Sequence, residues 1–232
     1  MLILNQQGLK FPSKCVKSLL FSFLTFSTIL LISTASIADS QPTSKPKDLD
    51  EAMKSGMQIR RVVTGHSPDG KSIFVSDEMV DPITLSLAPG LEIFNMWGAD
   101  NTVTLPSDGS MPPTKTYFPP VGGFKFAIST IPPLSTKGPE NIDMEAAIAE
   151  AEEKLPGFLK HGEPENPGMH TSDTVDFEYI ISGEVWLELD DGKQVHLRPG
   201  DTVIQNGTRH AWRNKGTEPC RYVSILIGAI RK

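Results

Sequence analysis

The chain has few cysteines, few aromatic residues, no surplus of positive charge and no long apolar run, and each shortage removes a class of protein from consideration. Only Cys15 and Cys220 occur among the 232 residues. Cys15 precedes the N-terminal apolar segment, so it is not placed as a lipid-attachment cysteine. Removal of that segment would leave Cys220 alone, which excludes an intramolecular disulfide and leaves the fold to packing. Cys220 adjoins the apolar run Tyr222–Ile227 and reads as a small buried hydrophobe. The 22 Lys and Arg are outnumbered by 28 Asp and Glu, a net charge of −6 and a poor match to nucleic acid or an anionic membrane surface. The apolar run Leu19–Ile32 is short for a membrane span and rich in Ser and Thr. No internal repeat points to a second copy of any unit.

What is present begins with an address. Lys10, Lys14 and Lys17 precede the apolar run, and Ser36, Ile37 and Ala38 follow it. This succession reads as a secretory signal peptide over residues 1–38, with an uncleaved membrane anchor as the alternative. Cleavage after Ala38 leaves 19 Lys and Arg against 28 acidic residues, a net charge of −9. The expected product is periplasmic or secreted and binds neither nucleic acid nor membrane. Residues 39–56, rich in Pro, Lys, Ser and Asp, read as a flexible linker. The remainder suits one globular domain, since 38% of the chain is hydrophobic and 22% charged.

Residues 57–140 are β-rich. Gln58–Thr64 and Ser72–Ser76 flank the turn signal Ser67-Pro68-Asp69-Gly70 and predict a hairpin, with His66 exposed in its turn. Ile83–Leu87, Leu91–Trp97 and Gly123–Ile131 predict three more strands. The Pro-, Asp- and Ser-rich connection 98–122 is long for a compact domain and is either a lid or a surface loop. Residues 141–160 hold the single helix: Met144, Ile148, Ala151 and Leu155 recur as a stripe, Asn141 or Asp143 caps it, and Pro156 with Gly157 ends it. His161, in the Pro- and Gly-rich segment that follows, has no evident partner.

Residues 161–232 carry the chemistry. If His170–Ile180 is extended, His170, Ser172, Thr174, Asp176 and Glu178 share one face, a polar row on a strand. Val185, Leu187 and Leu189 then alternate with polar residues, Asp191-Gly192 signals a hairpin, and Val195 and Leu197 resume the alternation, with His196 out of phase and exposed. After turns at Pro199-Gly200 and Gly207, His210, Trp212 and Asn214 share a face.

These residues resemble the cupins, small jelly-roll β-barrels that often hold a metal in the barrel mouth. The first cupin motif runs His, any residue, His, three or four residues, Glu, six residues, Gly. Here His170 and Gly183 fit it, while Ser172 stands at the second His and Asp176 at the Glu. The second motif ends in Gly, two residues, His, three residues, Asn, which Gly207, His210 and Asn214 match, although its preceding Pro is absent. The resemblance implies an all-β fold, a cupin double-stranded β-helix with extra N-terminal strands and one helix. The extra strands complete the barrel or cover a partner's sheet, so a homodimer is expected.

A polar row facing a barrel interior must be satisfied, because an unpaired buried polar group costs about 2–7 kcal/mol. One solution, implied by the resemblance, is a divalent ion (Mn, Fe, Ni or Zn) on His170, Asp176 and His210, with Glu178 able to compensate for the shorter Asp176 and the missing second His. The other is a metal-free pocket in which His170, Glu178 and His210 bind or protonate a small ligand. Asp176 and Glu178, two apart on one face, would raise one another's pKa and make Glu178 a candidate catalytic acid or base. Ser172, Thr174 and Trp212 are the expected pocket walls, and the complete second motif makes His210 weigh more than His170. The functions implied are an exported enzyme (oxidoreductase, isomerase, decarboxylase or dehydratase) acting on a small oxygenated molecule, a non-catalytic binding cupin, or an assembly cupin. A polar interior disfavours the last.

Overall fold

Residues 58–232 are described in the computed structural model; the expected signal peptide (1–38) and linker (39–56) lie outside the described residues. β1 (Ile59–His66) and β2 (Ser72–Val80) form the expected hairpin, its turn closed by the Lys71 N–H donating to Ser67 Oγ at 3.1 Å. Among the described strands these two pair only with each other. His66 is not an exposed turn residue. It ends β1, and its N–H donates to the Ser107 carbonyl at 2.8 Å, tying the hairpin to the 98–122 connection.

β3 is only Ile83–Thr84, shorter than the expected strand, because the chain turns on bonds from Ala88 N–H to the Leu85 carbonyl and from Leu91 N–H to that of Ala88. β4 (Glu92–Ala99) and β5 (Phe124–Ile131) follow the alternation. β6 (Thr174–Ser182), β7 (Val185–Glu188), β8 (Gln194–Leu197), β9 (Thr202–Asn206), β10 (Ala211–Arg213) and β11 (Cys220–Gly228) complete the set. Six strands form one sheet in the order β3-β4-β5-β11-β6-β9, and three form a second, β10-β7-β8. This is the expected all-β jelly roll, with one α-helix among the described residues. The last strand lies in the middle of the large sheet, between β5 and β6. Gly183 makes room for it: at φ +70° a Cβ there would lie 2.3 Å from the Pro219 carbonyl oxygen, so glycine alone fits this turn.

The helix, α1 (Met144–Lys154), is capped by Asp143, which accepts from the Ala146 N–H at 3.1 Å. Its expected stripe is corrected: Ala147, Ala151 and Leu155 are buried, whereas Met144 and Ile148 are exposed. The small residues let the helix approach a core cluster of Leu85, Ile93, Tyr117, Ala127 and Leu226. A second cluster joins Ile180, Val185, Leu187, Leu197 and Cys220. Leu189 and Val195 do not continue it. Both are exposed, Val195 because β8 is an edge strand of the three-stranded sheet.

β6 has an inverted polarity. Thr174, Asp176 and Glu178 are buried, while Phe177, Tyr179 and Ile181 face out. Antiparallel sheets with one solvated face ordinarily do the reverse.

Candidate functional site

A cavity of about 190 Å³ opens on the inward side of the large sheet, lined by His170, Asp176, Glu178 and His210 together with Tyr117, Phe118, Phe158, Ser129, Trp212, Tyr222 and Ser224. β6 supplies the two acids. The partner of Glu178 on β11 is Ser224, and that of Asp176 is Leu226. On the other side Gln205 of β9 lies opposite Asp176. The histidines come from outside the strands, where His170 and His210 exchange backbone hydrogen bonds at 2.9 and 3.0 Å. Their rings consequently lie 4.2 Å apart, centroid to centroid.

Both imidazoles are oriented from behind. His170 Nδ1 meets the Gly168 carbonyl at 3.1 Å and His210 Nδ1 meets the Thr208 carbonyl at 2.9 Å. A carbonyl only accepts, so each Nδ1 carries the proton and each Nε2 offers a lone pair. Burial keeps both rings neutral. It lowers His210 to about 4, helped by His170 and opposed by the Thr208 carbonyl. It also lowers His170, with the Gly168 carbonyl opposing and His161 adding to the fall.

The acids shift the other way. Burial raises Asp176 to about 6, with a hydrogen bond from Thr174 pulling downward. Burial, and then the charge of Asp176, raises Glu178 well above the usual carboxylate range. Their oxygens are also short of partners. Asp176 Oδ1 and Glu178 Oε2, both in the cavity wall, are buried without a hydrogen bond. Unmet polar atoms gathered in this way mark a place where a ligand or water completes the bonding.

The expected row is only partly assembled. β6 begins at Thr174, so the face does not run unbroken from His170. Ser172 and Thr174 turn to each other, oxygen to oxygen at 2.7 Å, and line a separate cleft with Asn206 and Arg231. They are not walls of the histidine cavity. Trp212 is: it meets His210 edge-on at 6.1 Å and stacks on Tyr222 at 5.3 Å. Asn214, fully buried, is a loop organiser. Its Nδ2 donates to the carbonyls of Ile131 and Glu218, and its Oδ1 accepts from Gly216 N–H. His161 and His196 both have partners: the Thr171 carbonyl at 2.9 Å, and Glu184 at 2.8 Å beneath a stacked Trp186.

Although His170, Asp176, Glu178 and His210 line one cavity, no three His, Cys, Asp or Glu side chains among the described residues converge as a group able to hold an ion. The histidines pair across a backbone bridge before the strand, whereas the acids sit further along it. Asp176 is also a methylene shorter than the Glu of the motif.

Tyr117 and Phe118 were not foreseen. They come from the 98–122 connection and enter the cavity wall, Tyr117 edge-on to Phe118 and Phe158 at 4.9 Å each. That connection therefore walls the site and is not merely surface.

Residues 158–226 match the family described as Cupin domain. Among curated relatives the chain is similar to the cupin-domain-containing oxidoreductase fogC of Aspergillus ruber, 27% identical over 173 residues, covering 73% of this chain and 72% of the relative. It is also similar to oryzines biosynthesis cluster protein J of Aspergillus oryzae, 28% identical over 174 residues and covering 74% and 84%. Among solved structures, a predicted oxalate decarboxylase from Thermotoga maritima is 16% identical, covering 64% of this chain and 92% of that one, with a TM-score of 0.34, too loose a superposition to argue from.

Proposed function

We propose that the chain is a cupin oxidoreductase that binds a small oxygenated organic molecule in the cavity and moves protons on it with Glu178 and Asp176. The observation that carries this reading is geometric: Glu178 and Asp176, both buried and each with an oxygen that has no hydrogen bond, face one cavity with the imidazoles of His170 and His210, where burial and the charge of Asp176 raise Glu178 well above the usual carboxylate range and burial raises Asp176 to about 6. Environments that push two titratable groups apart assign the acid and the base. The oxidoreductase names of relatives such as fogC support the reaction class. A cavity of about 190 Å³ lined mostly by apolar and aromatic side chains with a few polar groups suits a small organic ligand.

At neutral pH the Asp176 carboxylate accepts a proton from the substrate, while the Glu178 acid donates a hydrogen bond to the oxygen on which charge develops. His170 and His210 accept from substrate hydroxyls through Nε2 and hold the ligand in place. Side chains of this kind carry protons, so the electron pair of an oxidation passes to a separate acceptor molecule. Cupins commonly bind divalent metals, but because the donor set does not close here, no step is assigned to one.

Turnover of hydroxy compounds by the purified chain with an added two-electron acceptor such as a quinone, and of keto compounds with the matching hydroquinone, tests this, with elemental analysis and a chelator control. Glu178→Gln and Asp176→Asn should each lower kcat about 10²–10⁴-fold while ligand binding persists. Chelation should leave activity unchanged. Activity that is lost on chelation and restored by a divalent ion overturns the metal-free reading, and unimpaired turnover by both variants overturns the acid and base assignment. Binding without turnover by the wild type favours a ligand-binding cupin.

A further inference from the structure

We propose that Arg213 and Arg231 are positioning residues that fix the tautomers of His170 and His210, and so decide that the cavity presents two hydrogen-bond acceptors to its ligand. This role rests on the reading of those histidines as the groups that hold the ligand. One device is used twice. Arg213 Nη1 donates to the Pro167 carbonyl at 2.5 Å, and the next carbonyl, that of Gly168, takes the Nδ1 proton of His170 two residues further on. On the other segment Arg231 Nη2 donates to the Gly207 carbonyl at 3.0 Å, and the next carbonyl, that of Thr208, takes the Nδ1 proton of His210 two residues further on. Each stretch also turns on a glycine in the left-handed region, Gly168 at φ +85° and Gly207 at φ +59°. A Cβ at either would lie 3.2 Å from a nitrogen of the guanidinium that binds there.

Both guanidiniums are anchored in turn. Arg213 Nε donates to Glu188 of β7 at 2.7 Å and its Nη2 to Asn166 Oδ1 at 3.2 Å, which ties the segment before His170 to the three-stranded sheet. Arg231 Nε donates to Asp173, and its Nη2 reaches the Ser172 carbonyl at 2.7 Å as well as that of Gly207. One nitrogen thereby joins the segment after His170 to the segment before His210. Charge-assisted bonds from a rigid planar fork fix a carbonyl's direction more firmly than a neutral donor does. The consequence is chemical. A ring whose Nδ1–H is committed to a carbonyl keeps Nε2 as an acceptor, whereas a ring released from it is free to carry the proton on Nε2 and present a donor instead. Two acceptors on rings 4.2 Å apart, centroid to centroid, suit a ligand that brings hydroxyl or N–H hydrogens. Neither arginine lines the cavity, so both act through the histidines.

Nitrogen-resolved NMR of the imidazole rings in the ligand-free full chain tests this, one histidine at a time. In the wild type both rings should carry the proton on Nδ1. Arg213→Met should move the tautomer ratio of His170 toward Nε2–H at least about tenfold and leave His210 on Nδ1–H. Arg231→Met should do the converse. His66, whose Nδ1 meets the Ser107 carbonyl on the β1–β2 hairpin, should not move in either variant. If a methionine variant fails to fold, Glu188→Gln and Asp173→Asn loosen Arg213 and Arg231 at their carboxylate anchors, and should move His170 and His210 respectively in the same direction by a smaller factor. Unchanged tautomers in the folded variants overturn the proposal. So does an equal shift of both histidines in either variant, the mark of general loosening. Because the tautomers are read without ligand or turnover, this result is separate from that of the turnover experiment: shifted tautomers uphold the arginine roles even where the acid and base assignment fails.

Discussion

The buried acids and histidines titrate against each other, and this sets how stability should vary with pH. Asp176, raised to about 6 from an ordinary 3.8, favours the folded state at low pH and loses that contribution as pH climbs from about 4 to 6. His210, lowered to about 4 from 6.5, does the reverse, since the unfolded chain binds the extra proton in that window and stability rises with pH. Each is worth up to about 3 kcal/mol at about 1.4 kcal/mol per pKa unit. Relative to the wild type, Asp176→Asn should therefore gain stability as pH rises from 4.5 to 6.5, and His210→Gln should lose it. Parallel slopes in all three proteins would sink the assignment. These four site residues were legible because strand alternation and motif spacing place them. Tyr117 was not, since nothing in a proline-rich connection tells which side chain turns inward.

At the scale of elements, the 98–122 connection is a wall with a function. Tyr117→Ala should cost about 3–5 kcal/mol, as deletions of buried aromatics do, and should admit larger ligands while weakening the binding of small ones. A melt combined with binding across a size series checks both, and an unchanged size preference would return the connection to a surface role. The hairpin, the helix and most strands could be read from turn chemistry and periodicity. The buried side of α1 could not, because Ala147 competes with Met144 and Ile148 only once the helix has a surface to approach. Likewise, alternation along β6 shows two faces without saying which is inward. The polar row points to chemistry, and its apolar counterpart, Phe177, Tyr179 and Ile181, is exposed only because that row is turned inward.

For the whole molecule, the pairing order was beyond reach from the sequence. β11 enters between β5 and β6, a contact between the end of the chain and residues about a hundred positions earlier. A chain stopped after Glu218 lacks that middle strand and should show no cooperative unfolding transition, as calorimetry can check. Export is also a proposal at this scale, resting on Lys10, Lys14 and Lys17, the apolar run and Ala38. Mass spectrometry of protein from its native host should find a mature start near Asp39, and an intact Met1 would refute it.

The inverted polarity of β6 bears on how the chain finds its pairing. A slip of one residue against its neighbours would turn Val175, Phe177, Tyr179 and Ile181 inward and send Asp176 and Glu178 to solvent, which is the arrangement hydrophobic burial alone prefers. What opposes the slip in a lone chain is local: the tight turn at Gly183 and the irregular register between Arg221 and Tyr222. A ligand bound against Asp176 and Glu178 favours the native register, so refolding yield should be higher with a ligand of the cavity present than without it.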